Sequence, residues 1–86
     1  MRFSWNEKKN MELKSKGRPS FEEAVAAISE SGVLHDGPNP VHANQRIFVV
    51  DIKKYPHLIP YERRGEIYWL ITVFPSRKYK NEKKKK

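Results

Sequence analysis

The hydrophobic and polar positions of this chain change period twice along its length. The opening Arg2-Phe3-Ser4-Trp5 alternates polar and aromatic side chains, the period of two of a strand with one buried face, and reads as a short edge strand. A helical stretch follows. Asn6 is placed to cap a helix through about Lys16, with Glu7 at its positive end and Lys14 and Lys16 at its negative end; Gly17 stops it and Pro19 prevents its continuation. Ser20 and Glu23 have the spacing of a capping box, and Phe21, Ala24, Val25 and Ile28 then recur on one face of a second helix that Gly32 ends. Gly37, Pro38, Asn39 and Pro40 make the region from about Asp36 to Asn44 a loop.

From Gln45 the period returns to that of strands. Arg46 to Ile52 is β-branched and aromatic on both faces, which predicts an interior strand. A hairpin at Lys53-Lys54 is inferred from its flanks, because lysine is a poor turn residue. Tyr55 to Glu62 reads as a weaker strand, since Pro56 and Pro60 each remove a ladder donor and point to an edge or a bulge. Arg63-Arg64-Gly65-Glu66 forms a turn, Ile67 to Phe74 is the strongest strand, and Pro75 ends it ahead of a tail or short helix. The expected fold class is α+β: two N-terminal helices packed on a three- or four-stranded antiparallel sheet, in a single domain over 1–78 with a basic tail over 79–86.

Composition narrows the partners. The chain has 86 residues and no cysteine, so one modest core is expected and thiolate metal ligands and disulfides are excluded. No apolar run reaches the length of a membrane span, which makes a cytoplasmic location the default and a membrane partner unexpected. The net charge of +8 is lopsided: residues 63–86 hold nine Lys or Arg against Glu66 and Glu82, while residues 1–62 hold nine basic and eight acidic residues. That imbalance favours a polyanion near the C-terminus, and the Lys83–Lys86 run is read either as part of that attraction or as a solvated tail.

Four stretches, in order, resemble the BrnT-like toxins of the RelE/ParE superfamily. Phe3-Ser4-Trp5-Asn6-Glu7-Lys8-Lys9-Asn10 looks like the family's opening F-x-W-[ND]-x-x-K-x. Gly17-Arg18-Pro19-Ser20-Phe21-Glu22-Glu23-Ala24 looks like its G-[VI]-S-F-E-[ED]-[AV] with one extra residue. Asn44 to Val50 and Phe74-Pro75-Ser76-Arg77-Lys78 look like its two strand motifs, N-Q-[RK]-I-F-V-[VL] and P-S-R-K. The resemblance implies a RelE-like, metal-independent ribonuclease toxin without a cofactor, restrained by a small antitoxin that also binds operator DNA. Ile71 departs from the family, standing where many relatives carry a lysine, and Lys53-Lys54 replaces a turn pair such as Asp-Gly.

Cutting RNA without a metal requires cations aimed at the phosphate and a group that moves the 2′-OH proton. Arg77, just past Pro75, is the leading candidate, because a guanidinium grips phosphate oxygens in bidentate geometry and keeps its charge. Arg46 would supply a second phosphate contact or act only as an edge-strand charge. Tyr79 follows Arg77 by two and is placed to reach the same phosphate or stack on a base. Of His35, His42 and His57, His42 in the Pro-rich loop is the most available proton carrier, and His57 is as well read as packed. Arg63, Arg64, Lys78 and Lys80 are candidate RNA-backbone contacts. The reading is an mRNA-cleaving toxin with an antitoxin partner; the alternatives are a non-catalytic basic nucleic-acid-binding module and a relative on the same fold that inhibits a protein target.

Overall fold

A computed structural model of the protein describes residues 1–79. The chain order is strand, two helices, then strands: β1 (Arg2–Trp5), α1 (Glu7–Ser15), α2 (Phe21–Ser31), β2 (His35–Pro38), β3 (Arg46–Ile52), β4 (Tyr55–Arg64), β5 (Ile67–Leu70) and β6 (Phe74–Pro75). The fold is α+β, and a strand precedes the helices, as the alternation at Arg2–Trp5 predicts.

Both helices begin as their sequences dictate. Asn6 accepts from the backbone N–H of Lys9, and Ser20 and Glu23 form a complete capping box at the start of α2. Asn10 ties the two together. Its fully buried amide donates to Glu7 and Glu22, and its carbonyl oxygen accepts the Phe21 N–H at 2.9 Å, a first-turn donor with no partner inside its own helix. The Trp5 indole donates to the same Glu7, and its ring stacks on Phe21 at 5.5 Å. Trp5, Glu7 and Asn10, three residues of the opening motif, are therefore engaged in holding β1, α1 and α2 in register.

The sheet is mixed and six-stranded among the described residues, in the order β1-β5-β4-β3-β2 with β6 pairing the first part of β4. The expectation of two N-terminal helices on a three- or four-stranded antiparallel sheet in the RelE-like order is thus corrected: a strand comes first, β1 lies parallel to β5 across a connection of two helices and three strands, and β2 is an added edge strand where a loop was expected. Gly37 and Pro38 carry no strand propensity. β2 is held instead by its ladder to β3 and by Asp36, which accepts from Arg46 and from the Tyr61 hydroxyl. A Cβ at Gly37 would come within 2.8 Å of the exposed His35 ring, which would have to turn aside. Phe48, Val50 and Ile52 of β3, with Ile59 and Tyr61 of β4 and Leu70 of β5, face the helices and form one core with Leu13, Phe21, Ala24 and Ile28. The alternate residues, among them Ile47, Leu58, Pro60, Trp69 and Phe74, lie on the face without helices.

β4 is an interior strand, which corrects its reading as an edge. Its prolines are tolerated because alternate residues of a strand aim their backbone groups at opposite neighbours. The carbonyls of Pro56 and Pro60 accept from Ser76 and Ile71, so both prolines turn their missing N–H toward the returning chain and away from β3. The returning chain is interrupted there. Tyr61 pairs with Leu70 and Leu58 with Phe74, so residues 71, 72 and 73 lie opposite only Pro60 and Ile59, a bulge that divides the predicted Ile67–Phe74 strand into β5 and β6. Pro75 is the last residue of β6, one residue past the strand end read at Phe74. The β3–β4 turn has Lys53 at φ 54° and Lys54 at φ 66°, the two positive angles that a tight right-twisted hairpin requires.

Candidate functional site

Arg77 is positioned by backbone bonds on both sides of it. Pro75 pairs with His57, the Ser76 N–H donates to the Pro56 carbonyl at 3.0 Å, and the Ser76 hydroxyl then accepts from the Tyr79 N–H at 3.1 Å, capping a helical turn over 77–79. Arg77 is exposed, and its side chain has no hydrogen-bond or ion partner among the described residues. With adjacent strands about 5 Å apart and about 3.3 Å per residue, Arg77 lies within about 12 Å of His57 along the backbone. That separation is about the length of an extended arginine side chain plus one phosphate group, although Arg77 is not itself in the wall of the cleft beside it.

A polar cleft of about 270 Å³ opens at this end of the sheet, on the helix-bearing side. Arg18, Glu23, Lys53, Tyr55 and His57 are in its wall. α1 and α2 bring Arg18 and Glu23, and the β3–β4 hairpin brings the rest. His57 is 7% exposed, and its Nδ1 lies 2.8 Å from the Tyr55 carbonyl. A carbonyl only accepts, so Nδ1 carries the proton and Nε2 presents a lone pair. Nε2 has no partner among the described residues and is not sealed from solvent, which leaves it open to the cleft.

The charges of the cleft are unequal. The Glu23 carboxyl is held below the usual carboxylate range first by the Ser20 backbone N–H and then by Lys53, 3.6 Å away. It caps a helix and offsets Lys53, so it is unavailable as a base. Arg18 has no side-chain partner among the described residues, and neither does the exposed Lys78 beside Arg77. Arg18, Arg77 and Lys78 thus make this corner a net cationic surface around the His57 ring.

The other sequence-derived candidates go elsewhere. Arg46 pairs with Tyr61, six residues up β4 from Tyr55, about 20 Å away at strand rise. Its Nε donates to Asp36 at 3.2 Å, and its affinity for its proton is raised first by Tyr61 and then by Asp36. Arg46 is therefore part of the clamp that holds β2 and does not share a site with Arg77. Burial and then Asp36 push the Tyr61 phenol up, against the opposing pull of Arg46. Arg63 and Arg64 sit at the far end of β4 on opposite faces, each over an aromatic ring at 4.4 Å, Tyr68 for Arg63 and Trp69 for Arg64. Arg63 also donates to the Gly65 carbonyl and Arg64 to Glu62, so neither is a free cation. His42 lines a second cleft, on the helix-free face. Tyr79 and Lys78 stay beside Arg77, and Lys80 lies outside the described residues.

Sequence reasoning passed over Arg18 and Tyr55 and left His57 open between a packed and a reactive role. Residues 55 and 57 share a strand face by simple alternation, a signal that was present. The convergence of Arg18 with them depends on how α1 and α2 lie on the sheet, which no local pattern encodes. Among the described residues no group of three or more His, Asp or Glu is placed to hold a metal ion, and no helix is long and apolar enough to cross a membrane.

Comparison of the chain with protein-family models, with curated proteins and with solved structures returned no match.

Proposed function

We propose that this protein is an RNA-cleaving toxin of the RelE-like kind that its sequence motifs resemble, acting without a metal and neutralised by a protein antitoxin. The observation that carries the reading is the corner where Arg77, beside Lys78, stands next to a cleft holding Arg18, Tyr55 and an accessible His57 Nε2. These are the groups that intramolecular RNA cleavage needs. His57 Nε2 takes the proton of a 2′-OH as its oxygen attacks the adjacent phosphorus. Arg77 and Arg18 hold the phosphate oxygens as negative charge builds on them, a role in which a fixed guanidinium is worth more than mobile solvent. The bond to the 5′ oxygen breaks, and that oxygen takes a proton from solvent in the open cleft. The products are a 2′,3′-cyclic phosphate and a free 5′-OH.

The proposal transfers the proton-carrying role from His42 to His57, and the second phosphate contact from Arg46 to Arg18. Cytoplasmic action on mRNA and pairing with an antitoxin follow from the same reading. β1 and β2 each have a sheet neighbour on one side only, and a partner chain covering such an edge would stabilise so small a domain.

Induced expression of the full chain tests the proposal. Growth arrest with loss of RNA integrity, both abolished by Arg77→Ala and by His57→Ala, supports it. Unchanged arrest in both variants removes the corner from the mechanism. Retained RNA binding without cleavage favours the non-catalytic binding module.

A further inference from the structure

The helix-free face carries a second cleft, of about 360 Å³, between the 39–45 loop and the bulge at 71–73. Its chemistry is the opposite of the basic corner. One third of the chain is charged, yet none of the residues in this wall is Lys, Arg, Asp or Glu. A site of that kind offers nothing to a phosphate or a carboxylate. It offers flat apolar and aromatic surface from Ile47, Pro60, Phe74 and the His42 ring, with the Gln45 amide and Thr72 at the edges.

The loop that closes it is held in shape. Asn39 Oδ1 accepts the N–H groups of Val41 and His42 at 2.9 and 3.3 Å, and across the loop neck Asn39 donates twice to Gln45, its backbone N–H to the Gln45 carbonyl and its Nδ2 to Gln45 Oε1. Gln45 accepts through Oε1, which leaves its Nε2 donor without a partner among the described residues. Val41, 78% exposed at the rim, widens the apolar surface.

From this combination we infer that the cleft is a nucleobase subsite: it takes the base of a nucleotide further along the RNA from the scissile phosphate, on the face of the sheet opposite His57, between His42 and Phe74, with Gln45 and Thr72 reading its edge. The inference rests on the RNA reading of the Arg77 corner and adds where a base is bound. Phe74 precedes Arg77 by three residues, about 10 Å of extended chain, a distance a short RNA strand bridges. A wholly aliphatic partner side chain would leave the Gln45 donor unpaired, whereas a base has an acceptor for it. Stacking on an aromatic face is tolerant of base identity, and the single amide supplies the preference.

The test is a ¹H–¹⁵N titration of the full chain with each of the four ribonucleosides, which carry no phosphate, and with ribose 5-phosphate, which carries no base. The subsite predicts that at least one nucleoside shifts the amides of Ile47, Thr72 and the 39–45 loop at millimolar concentration, while ribose 5-phosphate does not. Gln45→Ala is expected to weaken that response about fivefold or more, and Ile47→Trp, which fills the cleft, to abolish it. Because Ile47→Trp could unfold the chain, Val41→Asp at the exposed rim is the second blocking variant, and its fold is checked by the unchanged amides of α1 and α2. If no nucleoside moves these amides while the chain still cuts RNA, the subsite is refuted and the nuclease reading stands. If nucleosides bind there but RNA stays intact, the nuclease reading falls and the subsite survives. A response confined to a protein partner overturns the base assignment.

Discussion

The backbone N–H of Ser76 donates to the carbonyl of Pro56 at 3.0 Å, and this bond sets the level at which the chain leaves the sheet with Arg77 next in line. A proline on one strand and a capping serine on the other thereby fix an exposed cation beside a cleft with a half-hidden histidine. Arg77→Ala is expected to lower cleavage on the order of 100-fold, as loss of a transition-state donor does. Its thermal midpoint should be unchanged, since the side chain has no partner among the described residues. Arg77→Lys should recover only part of the rate, because a point charge does not grip two oxygens. Cleavage rates and melting curves of the three proteins check this.

Ile71 separates the two faces as sites of chemistry. It lines the neutral cleft on the helix-free face, remote from His57 on the other side of the sheet. Ile71→Lys is therefore expected to leave the rate of cleavage within about twofold at saturating RNA, at an effective ε of surface charges where one distant cation contributes little. A tenfold increase in single-turnover rate would move the chemistry to the His42 side.

Asn10 makes a stability prediction of a different kind. Replacement by Ala deletes two donated bonds and leaves the Phe21 N–H buried without a partner, a loss of about 2–3 kcal/mol. For a domain of this size that lowers Tm by roughly 10 °C or more. Calorimetry measures it directly, and a shift of a degree or two would show that water replaces the amide.

The hairpin turn is improvable. Lys53 and Lys54 both hold positive φ, a conformation that costs a side-chain-bearing residue about 1 kcal/mol. The pair Lys53→Asn with Lys54→Gly should raise stability by about 1–2 kcal/mol in urea denaturation. The gain is reduced by the loss of the exposed Lys53–Glu23 contact.

Stability should fall in acid through the first turn of α2. The Glu22 and Glu23 carboxyls titrate below their ordinary value of 4.5, Glu22 mainly through the Asn10 amide and Glu23 mainly through the Ser20 N–H. Because the folded values are the lower ones, the stability they add is complete above pH 4.5 and is lost as pH falls through the depressed values. Urea midpoints for Glu22→Gln and Glu23→Gln should show a flatter decline between pH 5 and pH 3 than the parent, and parallel curves would contradict the assignment.

Elements fixed by local rules were legible in the sequence. The Ser20 capping box, the Asn6 cap, the Phe21–Ala24–Ile28 face and the short first strand all depend on neighbours within a turn or two. What escaped depends on distant partners. Pro56 and Pro60 suggested an edge because their missing donors were visible and the bulge that faces them was not. β2 is a strand because β3 pairs with it, not because His35-Asp36-Gly37-Pro38 prefers to be one. The proposed site divides the same way: the exposed position of Arg77 was legible from the strand end that carries it, whereas His57 and Arg18 come into one cleft only once the helices are laid on the sheet.

The central claim is that the corner of Arg77 and His57 cuts RNA by using the RNA's own 2′-OH. It is tested by incubating the purified full chain, in excess chelator, with an end-labelled RNA and with the same RNA carrying a single 2′-deoxy substitution at the cut position. The account predicts cleavage of the first to a 2′,3′-cyclic phosphate, none at the substituted position, and none of either by His57→Ala or Arg77→Ala. Cleavage at the 2′-deoxy position, or undiminished cutting by both variants, would contradict it.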